Sequence, residues 1–148
     1  RRACHGHSGR RPGGTRQPVI VVDASAILEL LLRSPRAAII ESSLFAVGQT
    51  LHAPHLLDIE VTQVLRRFTL KRELHGARAE IALNDFMDLG IQRYAHEFLL
   101  PRVWELRSNI TAYDAVYVAL SEALEARLMT HDKRLAQAAR RYVDVEVV

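Results

Sequence analysis

Residues 19–22, Val-Ile-Val-Val, form an unbroken run of β-branched side chains that ends on an acid, Asp23. Successive side chains of a strand point to opposite faces, so a run with no polar position has no face to offer water. It reads as a strand buried on both sides, which requires helices packed above and below its sheet. Asp23 then falls at the carboxyl end of the strand, the edge where open α/β sheets bind their ligands.

The rest of the chain supplies those helical layers. Ala26, Ile27, Leu30 and Leu31 recur at helical spacing up to a stop near Ser34-Pro35. A second helix over residues 36–47 carries Ala38, Ile39, Ser42 and Phe45 in register and ends at Gly48. Residues 51–54 suit a short strand, and 55–74 a long helix with Leu57, Val61, Val64, Leu65 and Phe68 on one face, closed by Gly76. Residues 77–89 form another amphipathic helix broken at Gly90, 91–94 a third strand, and 101–107 a helix that stops around Ser108-Asn109. Residues 111–126 present a helical face of small apolar residues, among them Ala112, Ala115, Ala119 and Ala123. Then come a strand over 128–130, a helix over 132–140 and an alternating edge strand over 143–147. The order β-α-α-β-α-α-β-α-α-β-α-β predicts a three-layer α/β domain, with a mostly parallel sheet of four to five strands flanked by helices.

At 148 residues and 49% hydrophobic composition the chain fits one domain with a substantial core, and a second would not fit. The charge of +3 suggests an acid-binding surface until its distribution is considered. Five arginines lie in residues 1–18, which contain no Asp or Glu, leaving 20 minus 5, or 15, basic residues against 17 acidic ones in 19–148. A basic-patch reading for nucleic acid therefore applies to residues 1–18 alone, expected as a flexible or foreign tail ahead of a domain over 19–148. Arg1-Arg2 matches the twin-arginine pair of an export signal, but Val19–Val22 is too short for the apolar core of one. No stretch approaches a membrane span, and a cytoplasmic protein is the expectation. Cys4 is the sole cysteine, which excludes an internal disulfide and a cysteine-based zinc site. His5 and His7 in the tail carry no weight.

Four acids stand out by position. Asp23 and Asp132 follow strands, Asp114 opens a helix, and Glu60 lies mid-helix at the border of the apolar stripe. Taken singly, the three aspartates have a structural explanation: Asp23 and Asp132 as N-caps, and Thr111-x-x-Asp114 as a capping box. Glu60 has no capping explanation, and since no Arg or Lys lies within one turn before it and Arg66 and Arg67 fall beyond i+4, its readings are a partner from another element, plain solvent exposure or a metal. Taken together, the four suit a hard divalent cation that takes oxygen ligands, with phosphodiester chemistry as the use of such a site. Crowded carboxylates also repel, so one of them can hold a raised pKa and accept the proton of a nucleophile.

Competing motifs are missing: no phosphate-binding glycine loop, no His-Glu-x-x-His and no Gly-x-Ser-x-Gly. A triad of Ser25, His131 and an Asp lacks the nucleophile elbow. Ser25, two residues after Asp23, can orient that Asp or a metal-bound water, or simply start a helix; Thr111 and Thr130 are open to the same two readings. His131 is open to contact with a substrate phosphate or to a surface role.

Val-Val-Asp23-Ala-Ser25-Ala, Glu60 in a long helix, Thr111-Ala-Tyr-Asp114-Ala and Leu-Met-Thr130-His-Asp132-Lys-Arg-Leu together resemble the PIN domain, most closely its VapC-type toxins. The resemblance spans residues 19–148 and rests on the order and spacing of the motifs. It implies a Mg²⁺- or Mn²⁺-dependent endoribonuclease of a type II toxin–antitoxin system. Asp23, Glu60, Asp114 and Asp132 would be its catalytic, metal-holding quartet, assisted by Ser25 or Thr111. It also implies an RNA substrate, a homodimer and a cognate antitoxin protein. The rival expectations are a non-hydrolytic RNA-binding or regulatory module on the same fold, and a receiver-like domain in which one Asp accepts a phosphoryl group.

Overall fold

The computed structural model describes residues 18–148. Cys4, His5, His7 and all of the arginine-rich segment but Pro18 lie outside the described residues. Five strands, β1 (Val19–Val22), β2 (Thr50–Pro54), β3 (Ile91–Tyr94), β4 (Arg127–Thr130) and β5 (Val145–Val147), pair in parallel in the order β3-β2-β1-β4-β5. The helices are α1 (Ala24–Leu31), α2 (Ala37–Leu44), α3 (Leu56–Leu70), α4 (Gly76–Asp88), α5 (Leu100–Glu105), α6 (Ala112–Leu124) and α7 (Lys133–Ala139). Single 3₁₀ turns, Glu97–Leu99 and Leu106–Ser108, flank α5.

The strand expected to be buried on both faces is so. Ile20 and Val22 point into one apolar cluster with α1, α2, α3 and α4, while Val21 points into the other with α5, α6 and α7. From β1 the chain winds outward to β2 and β3, and then crosses back to lay β4 on the other side of β1. The winding direction thus reverses between β1 and β4, and the carboxyl ends of those two strands border the crevice that such a reversal opens. Asp23 lies at the mouth of that crevice, its N–H donating to Met129 O at 3.2 Å.

Several boundaries differ from the sequence expectation. The β1–β2 ladder begins at the pair Val19–Thr50, and Pro18 ahead of it still takes part, its carbonyl accepting from Thr50 N–H at 3.0 Å. Gly76 opens α4 instead of closing α3. The left-handed position after α3 is occupied by Arg72 at φ 60°, beyond which Glu73 and Leu74 N–H both return to Phe68 O. α6 likewise stops at Glu125, φ 51°, without a glycine. α3 starts without a capping side chain of its own, and His96, from the segment after β3, accepts from Leu56 N–H through Nε2 at 3.0 Å. Among the described residues no helix is long and apolar enough to cross a membrane.

Candidate active site

Asp23, Glu60, Asp114 and Asp132 come from four different elements and line one cleft of about 610 Å³ at the carboxyl edge of the sheet. Ser25, Tyr113, Tyr117, His131 and Arg67 share its walls, with Leu28, Leu32, Ile59 and Phe68 forming an apolar flank between α1 and α3. A second cleft, about 710 Å³, lies at the opposite edge of the sheet, beside the amino ends of β1 and β4, and contains none of the four acids.

Asp23 is the most enclosed of the set, 6% exposed. Oδ1 accepts from Ser25 Oγ at 2.8 Å and from Ala26 N–H at 3.2 Å, and Oδ2 accepts from Thr130 Oγ1 at 3.0 Å. Burial pushes this carboxyl from its ordinary 3.8 up to about 6; the bonds from Ser25, Ala26 and Thr130 pull the other way, and the Glu60 charge adds to the rise. Ser25 Oγ also accepts from the N–H groups of His131 and Asp132 at 2.8 and 3.0 Å, and Thr130 Oγ1 accepts from Asp132 N–H at 2.9 Å. Two hydroxyls thereby bind the turn between β4 and α7 to the Asp23 carboxylate, and the position of Asp132 is set from across the crevice.

Asp132 is exposed and caps α7, accepting from Arg134 and Leu135 N–H at 2.7 and 3.2 Å. Asp114 sits half-buried in the first turn of α6, where Thr111 Oγ1 accepts from Asp114 N–H at 3.2 Å. Its carboxyl is raised by desolvation, lowered by the Thr111 hydroxyl, raised again by Asp132 and lowered by Arg134. Glu60, half-buried, takes the Tyr117 hydroxyl on Oε2 at 2.5 Å. Desolvation raises its pKa, the Tyr117 bond lowers it, and the charge of Asp114 raises it. Asp23, Glu60, Asp114 and Asp132 thus form a chain in which each neighbouring pair repels.

Capping and clustering, which stood as rival explanations of the aspartates, both hold. Asp23 and Asp132 each use Oδ1 to cap a helix and still face the common cleft. Among the described residues none of the four acids enters an ion pair. Unpaired carboxylates with two hydroxyls beside them form an all-oxygen donor set, which fits Mg²⁺ or Mn²⁺ in its chemistry. The spacing is looser than a single shell: no three acidic, His or Cys side chains among the described residues converge on one ion position. Mg²⁺ keeps several waters and uses only one or two carboxylates, so the spread is compatible with that ion.

One residue of the site, Tyr117, carries no separate signal in the sequence. Locally it is an ordinary position of α6, and its role emerges only where its hydroxyl reaches Glu60 of α3 from the opposite layer. Thr130, fully buried, takes the first of the two roles open to it and is a direct partner of Asp23. Ser25 Oγ donates to Asp23, the first of its two open roles, whereas Thr111 acts as the N-cap of α6. His131 places Nδ1 against Val148 O and Nε2 at 3.9 Å from Glu29, at the edge of the cleft.

The family model for the PIN domain matches residues 20–141. The VapC ribonuclease Mb0985 of Mycobacterium bovis is 42% identical over 130 residues, covering 88% of this chain and 98% of that protein. Ribonuclease VapC1 of Mycobacterium tuberculosis is 43% identical over 119 residues, covering 80% and 89%. Among solved structures, PAE2754 from Pyrobaculum aerophilum superposes with a TM-score of 0.65 at 21% identity, covering 90% of this chain and 88% of that one. VapBC2 from Rickettsia felis, bound to a DNA fragment from its promoter, gives 0.62 at 12% identity, covering 87% and 98%. These last two likenesses concern the fold.

Proposed function

The chain belongs to the PIN-domain family, and from that premise we propose that it is an RNA-cleaving hydrolase: a Mg²⁺- or Mn²⁺-dependent endoribonuclease acting as the toxin of a toxin–antitoxin pair. The observation that carries the reading is the cleft itself, where four separate elements deliver Asp23, Glu60, Asp114 and Asp132 and where, among the described residues, no ion pair neutralises them. The relatives named as VapC ribonucleases, matched over most of their length, support the RNA substrate.

Asp23, Glu60, Asp114 and Asp132 would hold the ion, with Asp23 and Asp132 oriented by Ser25 and Thr130. When bound, a divalent cation supplies charge neutralisation at the scissile phosphate and a lowered pKa for an attacking water. Burial raises the Asp23 carboxyl to about 6 in the metal-free protein, so the cleft favours a bound cation that would stabilise its ionised form. The Ser25 and Thr130 hydroxyls fix the plane of that carboxylate, so it would meet the ion without rotation of the side chain. The apolar flank formed by Leu28, Leu32, Ile59 and Phe68 suits an amphipathic segment of an antitoxin, and solved VapBC and FitAB assemblies of this fold support such a partner. The same reading makes the protein a homodimer and its place of action the cytoplasm, where RNA is found.

Incubation of the purified protein with single-stranded RNA tests the reading. Cleavage should appear with Mg²⁺ or Mn²⁺, stop with EDTA and be weak with Ca²⁺, which is larger and less demanding of geometry. Undiminished cleavage in chelator would overturn the mechanism, and RNA binding without turnover would favour a non-hydrolytic module.

A further inference from the structure

Two of the four cleft acids are anchored to backbone, since Asp23 and Asp132 cap helices through Oδ1, and the Asp114 carboxyl lies against the Thr111 hydroxyl three residues before it. Glu60 has no such anchor. It projects from the second turn of α3 on a long side chain, and its hydrogen bond comes from a residue 57 positions away in the opposite helical layer, Tyr117 of α6. We infer that Tyr117 is a positioning residue of the active site, whose hydroxyl fixes the Glu60 carboxylate and reserves Oε1 for the cleft. The inference rests on the metal-dependent reading above.

Tyr117 follows Asp114 by three residues, so both lie on one face of α6. The ring is 2% exposed and packs in the cluster that contains Val21 and Leu128, which leaves it no freedom to follow Glu60; Glu60 must follow it. Oε2 takes the phenol, while Oε1 makes no hydrogen bond among the described residues. α6 thereby supplies Asp114 directly and sets Glu60 by contact, so one helix fixes the placement of both acids. A buried tyrosine also needs some acceptor merely to be satisfied, and the test must separate that structural role from positioning.

Tyr117→Phe keeps the ring and removes only the hydroxyl. Mn²⁺ binding to the full chain, measured by electron paramagnetic resonance well below the melting temperature, should weaken about 10- to 100-fold, the usual cost of losing the partner that orients a ligand. Repeated in a Glu60→Gln background, the same substitution should change Mn²⁺ affinity little, because the oriented charge is already gone. Unchanged affinity in the single variant, or an equal loss in both backgrounds, would refute positioning and leave an ordinary core tyrosine. A wild-type protein that takes up no Mn²⁺ would instead overturn the metal-dependent reading, and this inference with it. If Tyr117→Phe does not fold, the tyrosine ultraviolet difference spectrum of a Tyr113→Phe protein on Mn²⁺ addition serves in its place. A signal abolished by Glu60→Gln is expected, and no signal would count against positioning.

Discussion

Replacing Asp23 by Asn removes a charge while keeping the shape, and the structure indicates how much stability that should add. The carboxyl rises from 3.8 to about 6 on folding. At about 1.4 kcal/mol per tenfold change in ionisation, this makes the ionised side chain cost the folded state about 3 kcal/mol at neutral pH. Because the folded pKa is the higher one, the cost is absent below pH 3.8, grows between 3.8 and about 6, and is complete above that. Asn can still accept from Ala26 N–H on its carbonyl oxygen, preserving the cap, but its amide nitrogen cannot accept from Thr130 Oγ1 as Oδ2 does. That mismatch costs about 1 kcal/mol. The variant should therefore gain about 2 kcal/mol in chelator near pH 8, or about 8 °C in melting temperature at roughly 4 °C per kcal/mol for a domain of this size. Thermal melts of wild type and Asp23→Asn in EDTA from pH 8 down to pH 4 measure it, and the gap should close toward the acid end. In saturating Mn²⁺ the order should reverse or narrow: wild type gains about 2.7 kcal/mol at a hundredfold excess over Kd, while a variant of weaker affinity gains less. RNA cleavage by the variant should be lost. A variant no more stable than wild type at pH 8 in EDTA, or a gap independent of pH, would refute the electrostatic account. Full activity would reduce Asp23 to a helix cap.

Ser25→Ala removes the donor to Asp23 and the acceptor of two N–H groups in the β4–α7 turn, and should cost about 2 kcal/mol in urea unfolding while lowering RNA cleavage. A neutral effect would mean that water replaces the hydroxyl without loss. Removal of residues 1–17, retaining Pro18 because its carbonyl accepts from Thr50, should leave the domain folded and active by circular dichroism and RNA cleavage. Insolubility or inactivity would show that the arginine-rich segment is structural. Sedimentation at high micromolar concentration should give a homodimer, consistent with exposed apolar side chains such as Trp104, Phe98 and Ile59, and a monomer would contradict that.

Much of this protein is determined locally. Four β-branched residues without a polar position could only become a strand covered on both faces, and the helical spacing of residues 24–31, 56–70 and 112–124 follows from the same apolar periodicity. The aspartates were legible for a related reason: each lies within three residues of a strand end or helix start, so backbone pattern alone assigns it to the carboxyl edge. Helix ends were less legible, because Arg72 and Glu125 adopt left-handed conformations that their residue types do not announce, and His96 caps α3 from 40 positions away. Only the tertiary structure decided how the acids are held. Whether Asp23 was a cap or a cluster member had no answer in the sequence, since the two roles use different geometry of one side chain and both are satisfied. Its pKa near 6 depends on burial supplied by elements over a hundred residues away. The Glu60–Tyr117 bond has no sequence signal for the same physical reason: a tyrosine on an apolar face and a glutamate at the border of a stripe are ordinary locally. They become partners only because the two helical layers meet at the edge of the sheet.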